Sequence, residues 1–195
     1  MDSLPISRTE ALDLLKSYTQ TEADMNHYLE SEAIMRALAK KLGANIEYWG
    51  MLGLLHDVDW ACTRENWQEH CSKAEEILKN RNFSDEFITI VQSHAYGHDV
   101  IPKFRELKRE KAVEYALACA ETITGLIYAY ALMRGRKISD MEVSGLKKKF
   151  KDKRFAENCN REIIKECEKL GLSLEEFFAL SIDAMKDIKS DIGLI

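Results

Sequence analysis

A chain of 195 residues, 46% of them hydrophobic, is long enough to bury one sizeable core and gives no reason to expect a second domain. Its formal charge of −5 excludes a protein that coats nucleic acid or an anionic membrane over its whole surface, so any anion site must be local. Five cysteines, at 62, 71, 119, 159 and 167, form neither a Cys-x-x-Cys pair nor an even disulfide framework, which fits reduced thiols in a cytoplasmic protein; the start Met1-Asp2-Ser3-Leu4-Pro5 lacks the basic residues and apolar run of a secretory signal.

In chain order, start and stop signals predict helices throughout. Ser7-Arg8-Thr9-Glu10 is a capping box opening a helix to about Thr19, and a second helix runs from near Asp24 to Leu42, where Gly43 stops it. Asn45 caps an apolar helix that delivers His56-Asp57, followed by Val58-Asp59-Trp60. Asn66-Trp67-Gln68-Glu69 opens a helix to about Asn80, and Ser84 opens one that Gly97 stops. The loop from His98 to Leu107, holding Pro102, is the candidate mobile flap. A long apolar helix spans roughly Arg109 to Met133; it has the length of a membrane span, but Glu114 and Glu121 interrupt it and favour a buried helix of a soluble protein. Ser139 with Glu142 and Ser173 with Glu176 open two later helices, with another from about Phe155 to Leu170 between them. Strand-like alternation is scarce and only two prolines occur, so the expectation is an all-α single domain, 1–195, of about eight or nine helices.

His56 and Asp57 stand at the end of that apolar helix, where an adjacent imidazole and carboxylate are costly to desolvate unless something pairs with them. Three further histidines lie on apolar stripes at helical spacing: His27 with Ser31, Ile34 and Leu38; His70 with Ala74 and Ile77; His94 with Phe87 and Val91. Each alone reads as a satisfied core histidine, but all three with His56-Asp57 read as one site. Glu121 shares a face with Leu117, Gly125 and Tyr128 and has no Lys or Arg within a helical turn, so its partner is either remote or a cation. A metal held by imidazoles and carboxylates satisfies both sets of residues.

With these residues placed, the sequence resembles the HD-domain superfamily of metal-dependent phosphohydrolases, whose pattern is an early histidine, an adjacent His-Asp ending the next apolar helix, and a later acidic residue. His27, His56-Asp57 and Glu121 match it, and His70 and His94 match the two extra histidines of members with a two-metal site. The resemblance covers about residues 20–130 and implies a helical HD core over about 20–135, with C-terminal helices over 136–195 packed on it. It implies one or two divalent transition ions (Mn, Fe, Ni or Zn), Asp57 as the bridging ligand, His27, His56 and Glu121 around one ion, and His70 and His94 on the other. The reaction implied is hydrolysis of a phosphomonoester, nucleotide or phosphodiester by a hydroxide formed on the metal. Two departures are visible. Glu121 replaces the usual Asp, and Trp60 replaces the lysine carried three positions after the Asp by Gly-Tyr-Pro-type cyclic-dinucleotide phosphodiesterases, whose tripeptide is also absent.

Further candidates come from position alone. Lys73 and Arg64 could contact a phosphate, His98 in its loop could touch substrate, and Trp60 could wall the pocket; solvated or core roles are the alternatives. Lys147, Lys148, Lys149, Lys151, Lys153 and Arg154 form either a solvated face or an anion site, with nucleic acid as the less expected occupant. Besides a phosphohydrolase with a small phosphorylated substrate and no membrane partner, two functions fit the ligand set: an HD-fold di-iron oxygenase and a non-catalytic metal or ligand sensor.

Overall fold

The computed structural model describes residues 3–195, which contain helices and turns and no strand; Met1 and Asp2, the first positions of the N-terminal stretch read above, lie outside the described residues. Helix α1 (Arg8–Lys16) begins where Ser7 and Glu10 cap each other's backbone, as expected. Helix α2 (Glu22–Leu42) opens two residues before Asp24, because Thr21 and Asp24 form a second capping box, and it ends on Gly43 in the left-handed region at φ 69°. Helix α3 (Ile46–Leu55) starts at Asn45, whose side chain accepts from the Tyr48 N–H. It lies unusually close on α2. A Cβ at Gly53 would fall 2.6 Å from the Ser31 carbonyl oxygen, so the approach requires glycine there, whereas one at Gly50 would meet the Arg36 side chain, with Nε at 2.7 Å.

A single turn, α4 (Trp60–Thr63), follows His56-Asp57. The helix expected from Asn66 to Asn80 is two pieces, a 3-10 turn at Trp67–Glu69 and α5 (Ser72–Lys79), broken at His70 and Cys71. The break has a physical cause. Asp59, fully buried, accepts from His70 Nδ1–H at 3.0 Å and from the Ala74 N–H at 3.0 Å, and this clasp holds His70 extended while Cys71 takes φ 62°. The helical face expected for His70, Ala74 and Ile77 is therefore absent, and His70 reaches the centre of the molecule from a kink.

Helix α6 (Asp85–Gln92), capped by Ser84, runs into a 3-10 turn at Ser93–Ala95. Residues 98–107, expected as a flap, are instead consecutive turns tied by Gly97 N–H to the Phe104 carbonyl, with Ile101 and Phe104 buried beside Cys71 and Ala95. Those two apolar anchors outweigh the breaker signals of Gly97 and Pro102.

Helix α7 (Ala112–Met133) is long and apolar enough to cross a membrane by length and composition, yet its stretch from Ala116 to Ala120 is fully buried at the centre of the bundle, against α2, α3 and α6. It starts three residues later than expected because Glu114 turns back to accept from the Glu110 and Lys111 N–H groups, which also gives that buried carboxylate its partners. Helix α8 (Val143–Lys151) begins after Glu142 without a Ser139 cap, since the Ser139 hydroxyl is taken by Lys189. The helix expected over 155–170 is a run of turns, a short α9 (Arg161–Lys165) capped by Asn160, and a 3-10 stretch at Glu166–Leu170. Arg161 donates to the carbonyls of Ala156 and Cys159, acceptors that a continuous helix would have used itself. Helix α10 (Leu174–Asp187) opens on the Ser173–Glu176 capping box as expected and packs on α2. Among the described residues there are ten α-helical segments, and with the single turn α4 set aside nine helices remain, as expected.

Candidate metal centre

The ends of α3 and α6, the middle of α2 and the kink before α5 bring four imidazoles around Asp57. His27 Nε2 and His56 Nε2 lie 3.0 Å apart, and both face Asp57 Oδ2, at 3.8 and 3.5 Å. On the other side of the same carboxylate, His70 Nε2 and His94 Nε2 lie 3.2 Å apart and face Oδ1, at 3.3 and 3.2 Å. Two groups of side chains are thus spaced to hold a metal ion, His27/His56/Asp57 and His70/Cys71/His94.

The partners of the opposite ring nitrogens settle the chemistry. His56 Nδ1 faces the Gly53 carbonyl at 2.8 Å, His94 Nδ1 faces the Val91 carbonyl at 2.6 Å, and His70 Nδ1 faces the Asp59 carboxylate. Each partner only accepts, so each Nδ1 carries the proton. The Thr124 hydroxyl donates to the Glu121 carbonyl at 2.6 Å, which leaves it to accept from His27 Nδ1–H at 2.9 Å. All four Nε2 atoms therefore point towards one another and towards a carboxylate. Such a convergence is relieved by a metal ion or by protons, and imidazoles that donate their other nitrogen to a carbonyl or carboxylate are set up as metal ligands. Burial pushes His27 down and His56 down to about 3, so protons do not relieve that pair. His70 and His94 are held above the ordinary imidazole range: burial opposes this, but Cys71 and Asp57 beside them outweigh it.

The centre forms one end of a cavity of about 460 Å³. Trp60 lines it, packed edge-on against His70 and Trp67; His98 lines it and stacks at a tilt on Trp67. Glu121 also lines the cavity, but belongs to neither donor group; its Oε1 takes the Thr122 hydroxyl, and burial lifts its carboxyl to about 7. Two expected phosphate contacts lie elsewhere. Lys73 points outward on α5, 2.7 Å from Glu69, because the kink at Cys71 turns it away from the His70 side; Arg64 donates to the Thr19 carbonyl at 2.6 Å and neighbours Asp24, stapling α4 to the start of α2.

Sequence reasoning missed several residues here. Asp59, two positions after Asp57, orients His70, and Arg109 donates to the Ser93 and Tyr96 carbonyls on either side of His94 while forming a two-point pair with Glu166. Trp67, Asn158, Asn160 and Ile163 complete the cavity wall. Cys71, also missed, is buried with Sγ 3.6 Å from His94 Nε2, which sets a sulfur atom beside the expected imidazoles and carboxylates. The one signal available for Trp67 was an aromatic residue three positions before His70.

A family model of the HD domain matches residues 25–122, half of the chain, from just before His27 to just after Glu121. The chain belongs to the HD-domain family. No solved structure matches it. HD domains are helical and bind divalent metals, and the two donor groups described here fit that chemistry residue by residue.

Proposed function

We propose that this HD domain is a metal-dependent phosphohydrolase acting on a small phosphomonoester, nucleotide or phosphodiester. The observation that carries the reading is the set of four Nε2 atoms converging on Asp57, each on a ring whose Nδ1 is committed to an acceptor. In it His27, His56 and Asp57 would hold one divalent ion and His70, His94 and Asp57 the other, with Glu121 lining the cavity beside them. When bound, such ions offset developing phosphoryl charge and acidify water from about 15.7 towards about 7. The raised Glu121 carboxyl is what a buried carboxylate shows without its counter-charge, because the neighbouring Arg109 is already engaged by Glu166. Trp60 and Trp67 offer flat apolar faces to the leaving group, and the Asn158 and Asn160 amides offer polar contacts to it. Five free cysteines support a reducing, cytoplasmic setting. In the basic segment 147–154, Lys147 is paired with Glu175 on the surface and Lys149 lies over the Tyr130 and Phe155 rings, which weighs against a nucleic-acid surface.

One observation favours a second reading. Among the described residues no Lys or Arg side chain lines the cavity, so a polyanion would find counter-charge only in the metals; this fits a substrate with a single phosphate, and equally a di-iron oxygenase with a weakly charged one. Anaerobic purification followed by metal analysis, phosphate release across phosphorylated metabolites and oxygen uptake separates the two. Metal-dependent phosphate release that disappears in Asp57→Ala is the expected result. Oxygen consumption without phosphate release would establish the oxygenase, and bound metal without turnover would establish a sensor.

A further inference from the structure

We propose that Cys71 is a thiolate ligand of the second metal position, making it a four-donor site of His70 Nε2, His94 Nε2, Asp57 Oδ1 and Cys71 Sγ. The inference rests on the metal-binding reading above and goes beyond it, since it adds sulfur to a shell otherwise built of nitrogen and oxygen. Its first support is metrical. A tetrahedral site with metal–nitrogen bonds of about 2.0–2.1 Å and a metal–sulfur bond of about 2.3 Å has nitrogen–nitrogen edges of about 3.4 Å and nitrogen–sulfur edges of about 3.6 Å. The corresponding separations are 3.2 Å between His70 and His94 Nε2, 3.3 and 3.2 Å from Asp57 Oδ1 to the two histidines, and 3.6 Å between His94 Nε2 and Cys71 Sγ.

The second support is the backbone. Cys71 holds φ 62°, a left-handed conformation that costs a non-glycine residue energy and that glycine would occupy freely. The Asp59 clasp on His70 and Ala74 enforces it, and its effect is to place the thiol beside His94. The third support is enclosure. Ala95, Ile101 and Phe104, all buried, pack around Cys71 and shield its thiol from water, while His70 and His94 beside it line the cavity. On binding, the thiol proton passes to solvent and the sulfur lone pair enters the metal bond. A thiolate in the shell favours a zinc-like or ferrous ion over magnesium or manganese. Without ligation, the Cys71 thiol only neighbours the two imidazoles, with Sγ 3.6 Å from His94 Nε2.

The test is anaerobic loading of the full chain with cobalt(II), read by near-ultraviolet absorption and by cobalt stoichiometry. The wild type should show a thiolate-to-cobalt charge-transfer band. Cys71→Ser and Cys71→Gly should lose the band and hold the second cobalt at least about tenfold more weakly, while the first stays bound. The glycine variant guards against misfolding, because it relieves the strained φ. Two bound cobalt ions without the band would overturn the thiolate assignment and leave the metal centre standing; no cobalt bound at all would overturn both.

Discussion

Asp57 divides its carboxylate between two imidazole pairs, Oδ2 towards His27 and His56 and Oδ1 towards His70 and His94. Its removal should therefore empty both positions, whereas His70→Ala or His94→Ala should empty one; metal per chain measured for the three variants checks this, and full occupancy in Asp57→Ala would remove the carboxylate from the centre. Glu121→Gln keeps the shape and deletes the charge, so it should weaken the first position and spare the second, with equal metal retention showing that Glu121 only lines the cavity. Outside the site, Glu30 is buried on α2 with Oε1 unpaired, and burial lifts its carboxyl well above the ordinary 4.5. The folded state thus holds the Glu30 proton more tightly than the unfolded one. Its contribution is most favourable below about pH 4.5, declines as pH rises towards the raised value, and is constant beyond. Glu30→Gln should flatten that decline, giving a thermal midpoint above wild type at pH 8 and level with it near pH 4.5; parallel midpoint curves would refute the assignment. His27, His94 and Glu121 were legible because they interrupt apolar stripes at helical spacing, whereas His70 was read on a helical face that the kink at Cys71 removes. Asp59 and Cys71 were not, because their roles depend on a kink that spacing alone does not reveal.

Among the elements, caps carried the most local information. Ser7, Asn45, Ser84 and Ser173 each start the helix assigned to them, since the signal and its target lie within three residues. Breaks were illegible where tertiary contacts make them: the Asp59 clasp before α5 and the Arg161 contacts before α9 both override good helical patterns. The packing of α3 on α2 matters most for chemistry, because it sets the 3.0 Å between His27 and His56. Gly53 serves it twice, by lacking a Cβ against the Ser31 carbonyl and by offering its own carbonyl to His56. Gly53→Ala must push the helices apart, at about 1–3 kcal/mol, and should lower metal content at the first position. A variant with unchanged midpoint and metal would mean that the two helices yield without moving the histidines.

At the scale of the molecule, the family match ends at residue 122 while the cavity wall continues through Asn158, Asn160 and Ile163. The all-helical class and the run of metal-directed residues could be read from sequence; this wall could not, since turns hide the contacts that place it. Arg109 ties the two parts together. Its guanidinium is largely buried and holds the carbonyls of Ser93 and Tyr96 on one side and the Glu166 carboxylate on the other. Removing it leaves those groups without partners in a partly buried place, and Arg109→Ala should cost about 3 kcal/mol. The same linkage makes the segment around His94 and the stretch around Glu166 a single opening unit, because neither can swing out without breaking the guanidinium's bonds to both. Amide hydrogens on the two stretches should then exchange with matched protection in the wild type and fall out of step in Arg109→Ala, so that the C-terminal wall breathes freely while the histidine turn is left to keep its own time.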